Sequence, residues 1–194
     1  MANEKNKRKE IRAFLEKVVV DAGVGRLSQT PNFEEKALVQ VKRDLAAMTG
    51  QAPQIRRAKK SIAGFKIREG QIVGLRITLR KEKMVDFFER LVTIVLPRVR
   101  DFTGLELSNV DHGGTLNLGV RDQLVFPEIS PENSPVTFSI GVSAVPRKKN
   151  HDVSLAKFRE FGVPLRKEGV IVRGGTTPKA KSKSRGARSG ANKK

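Results

Sequence analysis

The strict alternation of apolar and polar residues over residues 75–80 constrains the fold more than any other feature of this chain. Its six members are Leu75, Arg76, Ile77, Thr78, Leu79 and Arg80. Because successive side chains of a β-strand point to opposite faces, a period of two predicts a strand with one buried face. The other face then presents two arginines and one threonine at fixed positions. A rigid cationic row of this kind loses little entropy when it docks on a polyanion.

Basic residues are concentrated in and before this strand. The chain carries 39 Lys and Arg against 20 Asp and Glu, a net charge of +19. Residues 53–80 contain eight of the basic residues and one acid, Glu69. Two more basic runs lie at residues 1–12 and 173–194, so the rest of the chain is nearly neutral. This distribution favours a nucleic acid as the partner, ahead of an anionic membrane.

Composition excludes several classes of protein. The absence of cysteine rules out disulfides and thiolate metal sites. The start of the chain does not have the pattern of a signal peptide, and no apolar run approaches the roughly 18 residues that span a bilayer. We therefore expect a cytoplasmic protein with no membrane partner. Because Tyr and Trp are absent, base stacking on exposed aromatics is disfavoured, and recognition of RNA backbone and shape is favoured.

Periodicity predicts the remaining elements. Strands are expected at residues 15–21, 65–68, 116–120, 123–126 and 136–143, with the glycine-bounded pair 65–68 and 74–80 forming a hairpin. A helix is expected from residue 33 to Gly50, with Asn32 as its N-cap in a capping box with Glu35. A second helix, buried on more than one side, is expected over residues 81–96, ended by Pro97. A third should start at Asp152 and run to residue 161.

The order of these elements predicts the fold class. A strand, a helix, a hairpin, a helix, several strands and a helix indicate a two-layer α+β domain, with an antiparallel-dominated sheet and helices packed on one face. We expect a single domain over residues 13–172. Residues 1–12 are expected to be a mobile basic N-terminal extension with a helical end. Residues 173–194 are expected to be a disordered basic tail, because they contain too little apolar surface to fold alone.

No stretch of the chain gives strong evidence for a catalytic site. The two histidines are His112, in the run Asp111-His112-Gly113-Gly114 that favours a turn, and His151, beside the expected helix start. Neither has a partner at metal-ligand spacing, and no cofactor is expected. Two alternatives to a specific RNA-binding structural protein remain open. One is a general nucleic-acid architectural or chaperone protein, and the other is an RNA-modifying enzyme with His112 as base.

Several stretches of the chain resemble a known family. They are TGQAP at 49–53, RAKKSIAGFKIR at 57–68, GLRITLR at 74–80, FFERL at 87–91, LPRVRDFTGL at 96–105 and LGVRDQLVFPEI at 118–129. In order and spacing, residues 15–167 resemble the fifth protein of the large ribosomal subunit, the universal 5S rRNA binder, in its bacterial form. The resemblance implies a non-catalytic protein that anchors 5S rRNA in the central protuberance, in contact with 23S rRNA and neighbouring large-subunit proteins.

The resemblance also implies the site residues. Family members hold 5S rRNA with the sheet side and the segment after the first helix, which points to Gln51, Arg57, Lys59, Lys60, Ser61, Thr78 and Arg80. Arg76 joins this group because it lies in the same exposed row. The loop between Gly64 and Gly74 is similar to the family loop that reaches P-site tRNA, through Lys66, Arg68 and Gln71. The surface around residues 111–117 and 131–135 resembles the part that faces a protein of the small-subunit head.

This chain departs from the family pattern in three places. Asp21 stands where the family usually has Asn, and Arg56 stands where Thr is common. We hypothesise that Arg56 compensates for the acid of Asp21, so both belong to the expected rRNA site. The amino-terminal helix is shorter than usual, and the lysine-rich end after residue 167 is extra. We expect that end to add phosphate contacts without specificity.

Overall fold

A five-stranded antiparallel sheet organises the protein. The computed structural model describes residues 2–29, 32–100 and 102–166. The strands are β1 Leu15–Gly23, β2 Gln54–Arg57, β3 Ile72–Leu79, β4 Leu116–Val120 and β5 Ile140–Pro146. Their order across the sheet is β2-β3-β1-β5-β4, and each neighbouring pair is antiparallel. The described helices are α1 Ala2–Phe14, α2 Leu38–Thr49, α3 Lys81–Arg90, α4 Leu96–Arg98 and α5 His151–Glu160.

The alternation in β3 is confirmed by burial. Leu75, Ile77 and Leu79 are each at most 1% exposed, in contact with the helical layer. Arg76 lies on the exposed side of the strand. The strand over residues 15–21 is also confirmed, as the central strand β1 with Val18 and Val20 in the core. These elements confirm the two-layer α+β class, because the apolar faces of sheet and helices meet in one core.

The first expected helix is confirmed, but its capping box is wrong. A π-helical turn over Phe33–Ala37 leads into α2. Asn32 has a left-handed backbone, with φ 58, and its side chain makes no capping hydrogen bond. Gly50 ends the helix in the left-handed conformation that glycine favours, with its N–H bonded to the carbonyl of Ala46. The apolar residues that recur every three or four positions along this helix are buried: Phe33, Ala37, Leu38, Val41, Leu45 and Met48.

The second helix is confirmed and extends past its expected end. α3 continues through a π-helical stretch, Leu91–Val95, into α4. Pro97 lies inside α4, one residue before its last residue, Arg98, and not after the end of the helix. Phe87, Phe88 and other apolar residues of α3 are buried, whereas Ile94 is 41% exposed.

Helix α1 is much longer than expected and packs on α3. Ile11 is 1% exposed and belongs to the core. Arg8 forms a salt bridge with Asp86 and a second one, at 3.2 Å, with Glu89. The hydrogen bond to Asp86, followed by the charge of Glu89, raises the pKa of Arg8 above its usual value. The basic start of the chain therefore complements acids on α3.

The expected strand at residues 65–68 is wrong. The hairpin partner of β3 is β2, in a segment where no strand was expected. Ala63–Phe65 forms a 3-10 turn instead, and the single bridge between Ile62 and Ile67 is all the β-pairing described within this loop. The hairpin thus has a long loop over residues 58–71 (the 58–71 loop), and its apolar residues do not enter the core.

The expected strand at residues 123–126 is also wrong. Gln123–Val125 is a 3-10 turn. The Gln123 side chain is fully buried, donates to the carbonyl of Val136 at 2.8 Å and accepts from the N–H of Phe138 at 3.0 Å. Because side chains satisfy this backbone, β5 starts at Ile140 and not at residue 136. Helix α5 is confirmed, but its N-cap is Asn150, which accepts from the N–H of Val153, and not Asp152.

Candidate nucleic-acid interface

One face of the sheet carries outward-pointing residues in register (the open face). Gln54, Arg76, Asp21, Gly141 and Gly119 lie opposite one another across the five strands. Helices α2 and α3 pack on the opposite side of the sheet, where the core lies. The two glycines leave β5 and β4 without side chains in this row. The row therefore carries polar and charged side chains at its β2 end and no side chains at its β4 end.

A second row of the open face runs beside the first. Thr78 lies opposite Val19, which lies opposite Ser143 and, one strand further, Asn117. The Ser143 hydroxyl donates to Oδ1 of Asn117 at 2.7 Å. Sequence reasoning did not assign Gln54, Ser143 or Asn117 to the site. The polar side of the alternation over residues 136–143 was the available signal for Ser143.

Asp21 and Arg76 form an ion pair within the open face. Arg76 donates from Nε to Oδ1 at 2.5 Å and from Nη2 to Oδ2 at 3.2 Å. The hydrogen bonds to Asp21, together with its charge, raise the pKa of Arg76 above its usual value. Arg56 lies opposite Gly74, not opposite Asp21. Arg76 is therefore the residue that pairs with Asp21, and the hypothesis that Arg56 compensates for this acid stays a prediction.

The cationic residues near β2 that are expected to bind rRNA differ in whether their side chains are hydrogen-bonded within the protein. Lys59 and Lys60 are exposed, and their side chains have no partner among the described residues. Arg57 is exposed as well, but its Nη1 donates to the carbonyl of Gly70 at 3.0 Å. Ser61 accepts a hydrogen bond from the N–H of Glu69 at 2.9 Å. Arg57 and Ser61 therefore also shape the 58–71 loop.

The structure places Gln51 and Arg80 at the end of β3, close to Thr78. Both side chains are exposed. Nε2 of Gln51 lies 3.5 Å from the carbonyl oxygen of Thr78, which is a weak contact. Apart from Asp21 on β1 and Gln51 before β2, the expected rRNA residues thus lie along β2, along β3 and at its end, and in the first part of the 58–71 loop.

The base of the 58–71 loop is closed by hydrogen bonds. Ala58 donates to the carbonyl of Gln71 at 2.8 Å, and Gly70 donates to the carbonyl of Ala58 at 3.0 Å. The Gln71 side chain donates to the Ser28 hydroxyl at 2.7 Å and accepts from the N–H of Arg68 at 2.9 Å. The side chain of Gln71, which was expected to contact tRNA, is thus hydrogen-bonded to other residues of the protein. Sequence reasoning missed its partner Ser28.

The outer part of the 58–71 loop is cationic and carries exposed apolar residues. Lys66 and Arg68 are exposed, and Lys66 has a left-handed backbone with φ 53. Phe65 is 72% exposed and Ile62 is 48% exposed. Sequence reasoning missed this exposure because it placed Phe65 in a strand.

The two histidines lie near each other, away from these cations. Their ring centroids are 6.4 Å apart. Asp111, beside His112, accepts from the N–H of Thr115 at 2.8 Å, which is the geometry of a turn residue. Within residues 2–29, 32–100 and 102–166, no group of three or more His, Asp or Glu residues has the geometry to hold a metal ion. Among the same residues, no helix is long and apolar enough to cross a bilayer.

Two family models together match most of the chain. Residues 10–68 match the model described as Ribosomal protein L5. Residues 72–165 match the model that describes the C-terminus of the same ribosomal protein family. The boundary between the two matches falls at the end of the 58–71 loop, just before β3.

Individual relatives agree with these matches. The large ribosomal subunit protein uL5 of Fusobacterium nucleatum is 44% identical over 153 residues, which are 79% of this chain and 81% of that relative. The protein of the same name from Rubrobacter xylanophilus is 45% identical over 152 residues, 78% of this chain and 82% of the relative. The one from Chlorobium phaeobacteroides is 42% identical over 154 residues, 79% and 76% of the two chains.

The fold, the sequence matches and the cationic sheet surface define a structural, non-enzymatic protein of the large ribosomal subunit. The RNA-modifying alternative with His112 as base is thereby set aside. The chain belongs to the uL5 family of ribosomal proteins.

Proposed function

We propose that this protein binds 5S rRNA with the open face and the free cations beside β2, and so anchors it in the central protuberance against 23S rRNA. One observation carries the proposal: the helices cover the other side of the sheet and leave Arg76 and Thr78 outward in register. A rigid sheet presents these groups at fixed spacing, so docking costs little conformational entropy.

The glycines of the open face support close approach of an RNA backbone. A Cβ added at Gly119 or at Gly23 would meet nothing within 4 Å, so open space lies above both positions. A ribose or phosphate can therefore come close to the main chain at the glycines, while the arginines of β2 and β3 reach phosphates beside it. Shape and charge then act together, as in the recognition of folded RNA.

The 58–71 loop is proposed to reach P-site tRNA. Lys66 and Arg68 are exposed on its outer part and supply positive charge for a phosphate backbone. Gln71 has a different task in this proposal, because its amide group is bonded to Ser28 and to the backbone of Arg68. It holds the loop in position for tRNA.

Residues 111–117 and 131–135 are proposed to face the small-subunit head, and the protein is proposed to contact neighbouring large-subunit proteins. Ser134 is buried and donates to Oδ2 of Asp44 at 2.8 Å. Arg43 donates to the carbonyl of Asn133. These bonds give the 131–135 segment a fixed shape, which suits a docking surface.

The experiment that tests the 5S rRNA proposal combines footprinting with competition. We compare the wild-type protein with a Lys59→Ala/Lys60→Ala variant, and with Lys36→Ala/Lys42→Ala on the helical layer as the matched control. The wild type should prefer 5S rRNA to bulk RNA at about 300 mM salt, where nonspecific phosphate contacts are weak. The Lys59/Lys60 variant should lose footprint protection and lower the log–log salt slope by about 1.5, because each phosphate contact contributes roughly 0.7–0.9.

Two outcomes would overturn this proposal. If the protein lost binding to 5S rRNA and to bulk RNA at the same salt concentration, a general nucleic-acid chaperone would be favoured. An equal change in the control variant would show that net charge, and not this surface, determines binding. Residues 173–194 lie outside the described part of the chain, and their role stays a prediction. Deleting them should lower the salt slope and leave the preference for 5S rRNA unchanged.

A further inference from the structure

We propose that Lys83 and Arg90 of α3 are positioning residues for the recognition of 5S rRNA, which hold the carboxyl end of α2 and so fix Gln51 beside Thr78. The proposal deepens the proposed function, because it rests on the assignment of Gln51 and Thr78 to the 5S rRNA site. It adds two residues that act through the backbone of the protein and do not touch the RNA.

The carboxyl end of α2 is capped by cations from another helix. The last carbonyls of a helix have no partner within it and carry partial negative charge. In α2, Nη2 of Arg90 donates to the carbonyl of Met48 at 2.9 Å, and Nζ of Lys83 donates to the carbonyl of Gly50 at 2.7 Å. The two cations therefore satisfy acceptors at the helix end and offset a negative charge that would repel a phosphate.

Helix α3 is a rigid support for these two contacts. Lys83 and Arg90 are seven residues apart, about two helical turns, so they project from the same side of α3. Phe87 and Phe88, which lie between them, are each 1% exposed and fix the helix against the core. Arg90 also forms an ion pair with Glu128 through Nη1. Its guanidinium is thus held from two sides, by the end of α2 and by the segment after β4.

The position of Gln51 depends on this cap. Gln51 directly follows Gly50, whose left-handed backbone, with φ 65, turns the chain away from α2. The contact of its side chain with the carbonyl of Thr78, at 3.5 Å, is weak. The one hydroxyl proton of Thr49 is closer to the carbonyl of Leu45, at 2.7 Å between the oxygens, than to that of Gln51, at 3.1 Å. The bond that holds the adjacent Gly50 carbonyl therefore determines where the Gln51 amide points.

The first experiment separates positioning from a direct contact with RNA. Lys83→Met keeps the length of the side chain and removes the donor, and Lys36→Met makes the same change at an exposed lysine of the helical layer. The affinity of the full-length proteins for 5S rRNA is measured over a salt series. We expect the dissociation constant of Lys83→Met to rise about fivefold, the value of one hydrogen bond, with an unchanged log–log salt slope.

Two results of this experiment would overturn the proposal. A slope lower by roughly 0.7–0.9 would mean that Lys83 itself contacts a phosphate. An equal rise of the dissociation constant in Lys36→Met would assign the effect to net charge.

A double-mutant cycle tests whether Lys83 acts through Gln51. Gln51→Ala should weaken 5S rRNA binding, and adding Lys83→Met to it should cause no further loss. Lys83→Arg, which keeps a donor at the same place, should bind 5S rRNA as the wild type does. A merely structural role predicts losses that multiply in the double variant. That result, or an unchanged affinity in Gln51→Ala, would contradict the positioning role.

Arg90 is tested by the same cycle with Gln51→Ala. Arg90→Met removes the cap on α2 and also the ion pair with Glu128, so Glu128→Gln, which removes the ion pair alone, is its control. Arg90→Met should weaken 5S rRNA binding, whereas Glu128→Gln should bind as the wild type does. Equal weakening in both variants would refute the role of Arg90. If urea denaturation shows that Arg90→Met does not fold, the Lys83 variants decide the proposal.

Failure of this proposal differs from failure of the proposed function. If Lys59→Ala/Lys60→Ala loses 5S rRNA binding and Lys83→Met does not, the surface binds RNA and the positioning role is wrong. If neither variant changes the affinity or the footprint, the proposed 5S rRNA site itself is wrong.

Discussion

Asp21 on β1 holds the guanidinium of Arg76 on β3 through two hydrogen bonds, of 2.5 and 3.2 Å, in the middle of the open face. Both side chains are 40–45% exposed, so the pair stands at the surface where RNA is proposed to bind. Arg76 therefore has two competing partners, the carboxylate of its own protein and a phosphate. The Asp21 side chain keeps Arg76 in one orientation and reduces its availability to phosphates.

Replacing Asp21 by Asn should release Arg76 for a phosphate. We expect Asp21→Asn to raise the log–log salt slope of 5S rRNA binding by about 0.7–0.9, the contribution of one added phosphate contact. The stability of the protein should change by less than about 1 kcal/mol, because the pair is exposed. Equilibrium binding over a salt series measures the slope. Glu16→Gln, at another exposed acid of β1, is the control, and an equal rise in it would contradict this explanation.

Removing the Gln71 side chain should loosen the 58–71 loop. Gln71→Ala deletes the bonds to Ser28 and to the N–H of Arg68, and a hydrogen bond contributes about 1 kcal/mol. Amide hydrogen exchange at Arg68 should then be about fivefold faster, with the core strands unchanged. Lys66→Ala changes the same loop without removing either bond, so its exchange should match the wild type. Unchanged exchange at Arg68 in Gln71→Ala would show that the bonds do not hold the loop.

Gln123 should contribute to stability through the backbone it satisfies. In Gln123→Leu, the buried N–H of Phe138 loses its acceptor, while the carbonyl of Val136 keeps the bond from Gln40 at 2.9 Å. We expect a loss of about 1–3 kcal/mol in the free energy of unfolding, the cost of one unsatisfied buried donor. Urea denaturation measures it. The exposed Gln51→Leu should change stability by less than about 0.5 kcal/mol, and similar losses in both would refute the role of Gln123.

Helix α1 should unfold together with the sheet. Ile11→Ala removes a side chain that is 1% exposed and should cost about 2–5 kcal/mol. Arg12→Ala breaks an exposed pair with Glu82 and should cost less than about 1 kcal/mol. Thermal and urea denaturation, followed by a probe of the sheet, compare the two variants. If Ile11→Ala left the unfolding transition of the sheet unchanged, α1 would not be part of the same cooperative unit.

Local periodicity is sufficient to predict most of the framework. The alternation in β3 and the stripe of α2 follow from which side chains enter the core, so both elements and their buried faces are correct. The residues of the rRNA surface are expected on one side of the sheet for the same reason. Their arrangement opposite one another, such as Asp21 opposite Arg76, depends on strand register, which no short stretch of sequence contains.

The errors share a physical cause. Phe65 and the residues after it have the composition of a strand, but a loop is closed there by hydrogen bonds that Arg57 donates and that the side chains of Ser61 and Gln71 accept. Near Gln123, the pattern predicts a strand, but the buried side-chain amide of Gln123 forms the hydrogen bonds to the backbone of Val136 and Phe138. The acids on α3 have the pattern of solvated charges because their partner, Arg8, is 78 residues away from Asp86 in the chain. In each case hydrogen bonds or ion pairs of particular side chains override local propensity.

The central claim is that the open face itself binds 5S rRNA, and steric blocking tests it most directly. Gly23→Leu adds a side chain above the open face, where an added Cβ meets nothing within 4 Å. Ala47→Leu places the same side chain on the exposed side of α2. The dissociation constant for 5S rRNA, measured for both variants at one salt concentration, should rise at least tenfold for Gly23→Leu, about 1.4 kcal/mol, and remain unchanged for Ala47→Leu. Equal affinity of the two variants would contradict the account.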